Sequence, residues 1–243
     1  MTTPKTALIT GAALRVGRAL ALSLADVGWD IALHYHASEK PAQELAKLIA
    51  DKGRKAHLVQ ADLAQEKSVS GIFPALKKQG VIPDALINNA ATFERDSLKT
   101  LEQKNWRTQM DINLFAPLLL MRDFADHYKD SDGNIINITD GLAGWSMSSN
   151  FLSYSLSKLG LADATRMFAH ALAPRIRVNA IAPGATLVSK HDSRETFVKL
   201  KEIIPLKRVS SPEEVSDAVL YLLSAPSVTG QVLSLSGGLN PAV

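Results

Sequence analysis

The chain has 243 residues, 46% of them hydrophobic and 21% charged, which supplies a packed core and excludes wholesale disorder. Its 27 Lys+Arg against 24 Asp+Glu leave a net charge of only +3, with no basic run long enough to track a phosphate backbone, so nucleic acid is excluded as a partner. Cysteine is absent, which removes disulfides, thiolate nucleophiles and Cys-ligated zinc and suits a reducing cytoplasm.

Short β-type runs alternate with helical patterns from end to end. Thr6 to Thr10 reads as a strand ending at Gly11, and Val16 to Val27 as a helix stopped by Gly28. Strand two is Ile31 to Tyr35, followed by a helix over Ala42 to Lys52. Strand three is Ala56 to Gln60, with a helix over Ser68 to Gln79. Strand four is Ala85 to Asn88, followed by a long helical pattern over Trp106 to Tyr128. Strand five is Asn134 to Thr139, with a long helix over Leu152 to Ala173. Strand six is Arg177 to Ile181, then a helix over Pro212 to Ser224 and a last strand at Val232 to Leu235. This alternation predicts one α/β domain over the whole chain, a doubly wound parallel sheet of about seven strands with helices on both faces. Leu187 to Pro205 interrupts it after a strand end, as either an active-site lid or a plain surface excursion. The apolar runs at Ala7-Leu8-Ile9 and Leu114 to Met121 are too short for a signal peptide or a membrane span, so the chain reads as soluble and cytoplasmic.

The turn after strand one, Thr10-Gly11-Ala12-Ala13-Leu14-Arg15-Val16-Gly17, lets a pyrophosphate approach helix N–H groups; Gly11, Arg15, Val16 and Gly17 are its candidate contacts. Strand two ends in His34-Tyr35-His36-Ala37-Ser38, without the acid that binds an NAD ribose, and His34, Tyr35, His36 and Ser38 are its candidate cofactor contacts. His36 and Ser38 can donate to a 2′-phosphate and Arg15 can reach it, which favours NADPH. Asp62 and Leu63 close strand three, where a carboxylate can accept from an adenine amino group.

Strand four ends in Asn88-Asn89-Ala90-Ala91-Thr92-Phe93 and strand five in Ile138-Thr139-Asp140. Tyr154 and Lys158, four apart, share a helix face. An ammonium one turn away favours the phenolate and so turns a phenol into a competent proton donor. No His, Asp or Glu cluster has metal-ligand spacing.

Thr10-Gly11 with Gly17, Asp62, Asn88-Asn89-Ala90, Asn113, Tyr154 with Lys158, and Pro183-Gly184 together resemble the short-chain dehydrogenase/reductase family over essentially the whole chain. The resemblance implies that Tyr154 donates the proton and that Lys158 binds the nicotinamide ribose. It implies that Asn113 holds a water in a proton relay, that Asn89 and Ala90 border the cofactor, and that Pro183 and Gly184 contact the nicotinamide. It also implies a lid after Gly184 and a homotetramer built on the two long helices.

Two departures point to one branch of that family. Arg15 stands where a glycine is usual, and Asp140 where a carbonyl-orienting serine is usual. A carboxylate there repels a developing alkoxide, which argues against simple ketone reduction. Both features, with His34-Tyr35-His36 and with Phe93 shortly after Asn-Asn-Ala, resemble the pteridine reductases and the dihydromonapterin or dihydrofolate reductases of short-chain type. That resemblance implies NADPH as cofactor and a pterin or folate substrate stacked on Phe93. Ala37 and Ala91 depart from that branch, and the Asp140-to-Tyr154 spacing is one residue longer. A carbonyl or 3-oxoacyl reductase, and a non-catalytic NADPH-sensing protein, are the competing expectations. Trp145, Met147 and Phe151 can wall the pocket or serve core and interface. His191 with Asp192 can meet substrate, and Asp123, Asp126 and Asp130 near Lys129 mark a solvated helix face.

Overall fold

The computed structural model describes residues 4–128, 132–143, 149–189, 191 and 193–239, with 194 and 196 traced by backbone alone. The expected features at Lys129, Asp130, Trp145, Met147 and Asp192 lie outside the described residues.

The described strands are β1 (Thr6–Ile9), β2 (Asp30–Tyr35), β3 (Ala56–Gln60), β4 (Ala85–Asn88), β5 (Gly133–Ile138), β6 (Ile176–Pro183) and β7 (Val232–Leu235). They form one seven-stranded parallel sheet in the order β3-β2-β1-β4-β5-β6-β7. The order reverses between β1 and β4, and the crevice at the C-terminal ends of those strands is where doubly wound sheets bind ligands.

Strand residues alternate between two cores because side chains on a strand point to opposite faces. Ala7, Ile9, Leu33 and Ile87 pack with α1 (Arg15–Asp26), α2 (Glu39–Asp51) and α9 (Pro212–Ser224). Leu8, Ala32 and Leu86 pack on the other face with Phe73, Leu120, Phe124 and Leu161.

Two long helical patterns are interrupted. Ser68 to Gln79 divides into α3 (Glu66–Val69) and α4 (Ile72–Lys78) at Gly71. Pro74 lacks an N–H, and it fits only within the first turn of a new helix, where that N–H has no partner. Trp106 to Tyr128 becomes α5 (Gln103–Met110), a π-type turn (Asp111–Phe115) and α6 (Ala116–His127). Pro117 has no N–H to return to the Asn113 carbonyl, and the Ala116 N–H bonds to Asp111 O across a widened turn. The segment after β6 holds a further helix, α8 (Arg194–Ile203), and α7 spans Leu152–Leu172. Phe197, Leu200 and Ile203 carry the helical apolar spacing of α8 inside a polar stretch.

Candidate active site

The C-terminal ends of β1, β4, β5 and β6 open into a cavity of about 730 Å3. Its walls run from the glycine turn (Gly11, Arg15, Val16, Gly17) past Asn89 and Ala90 to Asp140, Tyr154 and Lys158. Pro183 and Gly184 border it, and Phe197 and Leu200 on α8 form the wall after β6.

The glycine turn fits a dinucleotide on its own geometry. Gly11 has φ +62, and a Cβ at Gly17 would lie 2.2 Å from the Gly11 carbonyl oxygen and 2.7 Å from Asn89 Nδ2. Leu14 precedes α1 without a side-chain cap, and the first turn of α1 carries no acid, so the turn brings no anion of its own to the helix dipole. Thr10 Oγ1 accepts from the N–H groups of Asn89 and Ala90 at 2.9 and 3.0 Å, and Asn89 Nδ2 donates to Thr10 O at 2.9 Å. The ends of β1 and β4 are thereby locked side by side. Arg15, at φ +53, lines the cavity and donates to Val188 O at 3.1 Å.

At the end of β2, two of the expected cofactor contacts prove to be structural. His34 is 1% exposed, accepts from the Gly11 N–H through Nδ1 at 3.1 Å, and places Nε2 3.2 Å from Ala61 O. Both ring nitrogens are engaged, so His34 shapes the glycine turn rather than touching a ligand. The Tyr35 ring is buried in the core beside α1 and α2. His36 is exposed and Ser38, half-buried, makes no capping bond to α2, so both remain available at the strand end. Asp62 accepts from the Ala64 N–H at 2.9 Å, and Leu63 is buried.

Burial lowers the His34 pKa from the usual 6.5 to about 4. The unfolded chain therefore takes up this proton first, and the stability it contributes is complete above pH 6.5 and lost as pH falls toward 4. Crossing that window should cost about 3 kcal/mol, because protonated Nδ1 would confront the Gly11 N–H. Urea unfolding of the native chain and of His34→Gln at pH 7 and pH 4.5 checks this. The native chain should lose more on acidification than the variant, and equal losses would exclude the role.

Asp140 follows β5 by two residues and holds the catalytic tyrosine candidate. Tyr154 Oη donates to Asp140 Oδ2 at 2.8 Å, while Oδ1 accepts from the N–H groups of Leu142 and Ala143 at 2.6 and 3.1 Å. Both side chains keep part of their surface open to the cavity, yet loss of solvent is the largest influence on each. It raises the Asp140 pKa against the opposing pull of its hydrogen bonds and of Lys158. Burial and then the Asp140 charge push Tyr154 well above 10. Burial lowers Lys158 to about 8, with Asp140 opposing.

Beside the Lys158 ammonium, burial and Asp140 act on Tyr154 in the opposite direction to the one expected from the lysine alone. The ammonium donates to Ile138 O at 2.7 Å and lies 5.9 Å from the centre of the Tyr154 ring. Burial and the adjacent carboxylate are the influences that set the direction of the Tyr154 shift. The Asn113 side chain is tied into the fold. It is 0% exposed, takes the Thr92 N–H on Oδ1 at 2.8 Å, and spends Nδ2 on Thr92 O and Ser157 Oγ at 2.9 and 3.1 Å. Its amide clamps the segment leading to Phe93.

Phe93 lines the cavity edge-on to Tyr154, with ring centres 4.6 Å apart, and Phe151 stacks on it at 4.2 Å. His191 places Nε2 2.8 Å from Phe93 O, with Glu94 Oε2 at 3.4 Å. Sequence reasoning missed the Asp96 contact to the start of α7 and the cavity-facing stripe of α8. The stripe was legible in the spacing of Phe197, Leu200 and Ile203; nothing local signalled Asp96. Among the described residues no group of three or more His, Asp or Glu could hold a metal, and no helix is long and apolar enough to cross a membrane.

Comparison with known proteins agrees with this geometry. A family model described as enoyl-(acyl carrier protein) reductase matches residues 11–240. The 3-oxoacyl-[acyl-carrier-protein] reductase FabG of Aquifex aeolicus is 34% identical over 97% of this chain and 97% of that protein. The crystal structure of FolM alternative dihydrofolate reductase 1 from Brucella suis, in complex with NADP, is 36% identical with a TM-score of 0.93, over 100% of this chain and 98% of that one. A blue fluorescent protein from a metagenomic library, solved in complex with NADPH, is 28% identical with a TM-score of 0.89, over 97% of each chain. On the extent of these matches, and on the sheet order and Tyr154–Lys158 pair that accompany them, this chain is a member of the short-chain dehydrogenase/reductase family of oxidoreductases.

Proposed function

We propose that this chain is an NADPH-dependent reductase of a pterin-type substrate: a dihydropteridine, dihydromonapterin or dihydrofolate. The observation that carries the reading is the Asp140 carboxyl bonded to the Tyr154 hydroxyl at the cavity wall. NADPH as cofactor is supported by the Gly17 clash geometry, by the cation at Arg15, and by the NADP and NADPH complexes of the similar structures. Gly11, Val16, Gly17, Asn89 and Ala90 would hold the phosphates and inner ribose, and Lys158, Pro183 and Gly184 the nicotinamide end. NADPH supplies the hydride.

The chain's own groups then manage the substrate and its proton. A pterin presents amino and ring N–H donors that a carboxylate can accept, and Phe93 offers a flat face. Reducing a C=N bond puts negative charge on nitrogen, and Tyr154 stands ready to protonate it. A phenolate left beside an ionised carboxylate at hydrogen-bond distance is strongly disfavoured. Burial raises the Asp140 pKa, the direction that lessens that conflict.

A 3-oxoacyl-thioester reductase is the second reading, favoured by the 34% identity to FabG. Ketone reduction puts charge on oxygen, where Asp140 is repulsive. The test is oxidation of NADPH, and of NADH in parallel, against dihydrobiopterin, dihydromonapterin, dihydrofolate and an acetoacetyl thioester. Turnover of a pterin or folate with NADPH preferred is expected. Turnover of the thioester alone would establish the second reading, and equal KM for the two cofactors would remove the 2′-phosphate assignment.

The assembly we propose is a homotetramer. Phe115, Leu156, Leu159 and Met167, at 44, 42, 41 and 71% exposure, leave apolar side chains in solvent around the π-type turn and along α7. Light scattering at micromolar concentration should give four times the chain mass, and a monomer mass would refute it.

A further inference from the structure

Asp96 is a buried carboxylate, 4% exposed, in the segment between β4 and α5, and it does not line the cavity. It spends both carboxylate oxygens on Ser153, the residue before Tyr154. Oδ1 accepts the Ser153 N–H at 3.0 Å, and Oδ2 accepts the Ser153 hydroxyl. Its backbone joins the same place: Asp96 N–H donates to Asn150 O at 3.1 Å, and Leu152 N–H donates to Asp96 O at 3.3 Å. This forms a parallel bridge to Phe151.

The α7 helix has no cap of its own. Phe151 precedes it without a side-chain hydrogen bond, and its first turn contains no acid. The N–H groups that open a helix need acceptors, and its dipole favours a negative charge there. Asp96 supplies both from 57 residues away. A serine or aspartate within the chain at position 151 would cap the helix equally well. Only a cap from this segment also ties α7 to Phe93, three residues before Asp96. Phe151 stacks on Phe93 at 4.2 Å with 13° between planes, and Tyr154 meets Phe93 edge-on. The tie therefore sets the spacing between the aromatic platform and the proton donor.

We propose that Asp96 is a positioning residue for the reduction, holding the first turn of α7 so that the Tyr154 hydroxyl stays in register with Phe93 and Asp140. The inference rests on the role of Tyr154 proposed above. Asp96→Ala, Asp96→Asn, Ser153→Ala and Tyr154→Phe are to be compared in NADPH oxidation with the pterin that the native chain turns over. Rates are counted per NADPH-binding site by fluorescence titration, and folding is checked by thermal melting.

Small displacements of an acid–base group lower the rate strongly, so Asp96→Ala should lose about 10- to 100-fold in kcat while KM for NADPH stays within about twofold. Asp96→Asn can still accept the Ser153 N–H and donate to its hydroxyl, and should return kcat to within about threefold of native. Ser153→Ala keeps one of the two bonds and should fall between them; it also decides the matter if Asp96→Ala does not fold. A purely structural cap would lower the melting temperature and the number of sites, with native kcat at each site. Native kcat per site in Asp96→Ala, or in Ser153→Ala where Asp96→Ala is unfolded, would overturn the proposal. So would an Asp96→Asn variant no better than a folded Asp96→Ala. If Tyr154→Phe itself keeps native kcat, the proposed function falls instead, because its proton donor is then wrong.

Discussion

Tyr154→Phe should lower kcat for pterin reduction by about 10^2- to 10^4-fold, the usual worth of a positioned general acid. The substitution removes one oxygen and leaves the ring, so the edge-on contact with Phe93 survives. NADPH affinity should change by less than about threefold, because the missing hydroxyl bonds to Asp140 and not to the glycine turn. Stopped-flow hydride transfer with fluorescence titration of NADPH separates the two quantities. A variant within tenfold of native kcat would mean that the proton comes from elsewhere in the cavity.

Asp140→Ser should lower pterin turnover by about 10^2-fold and raise ketone turnover, since it exchanges a carboxylate for a hydroxyl that donates to a developing oxyanion. Burial is the largest influence on Tyr154, and the Asp140 charge is the next. Losing that charge should lower the Tyr154 pKa, so an alkaline limb set by its ionisation should move to lower pH. The serine can still accept one of the N–H groups of Leu142 and Ala143, which now converge on Oδ1. The loop should therefore hold its shape, and the change should appear in chemistry rather than in folding. Native pterin turnover in Asp140→Ser would remove the reason for preferring a pterin to a ketone.

The parallel sheet was legible because its strands are short apolar runs, such as Ala85 to Asn88, separated by helices that end at Gly28, Gly53 and Gly80. These features depend on neighbours within a few residues. The same holds for the glycine turn, and for Tyr154 and Lys158 on one face of α7, whose lysine reaches back to the last residue of the strand that precedes Asp140. Interruptions within long apolar patterns were harder to read. Pro74 and Pro117 are each compatible with a helix start or with a bend, and only the packing around them selects one.

Roles that depend on contacts distant in sequence were decided by the tertiary structure. His34 sits in a stretch whose composition suits a phosphate, yet parallel pairing of β2 beside β1 turns its ring toward the Gly11 N–H. Asn113 meets Thr92 because the π-type turn places its amide against the end of the β4 segment. Asp96 meets Ser153 across 57 positions, a separation over which no local pattern carries information. The direction of the Tyr154 shift was also a tertiary property. Sequence spacing showed a lysine one turn away, but burial outweighs single charges in a cavity wall, and Asp140 lies at hydrogen-bond distance. Local periodicity and turn chemistry thus determined the order of the elements and which side chains gather at the strand ends. The fold decided which of those side chains face the cavity and which are spent on holding it, because hydrogen-bond partners and desolvation arise only once distant segments pack.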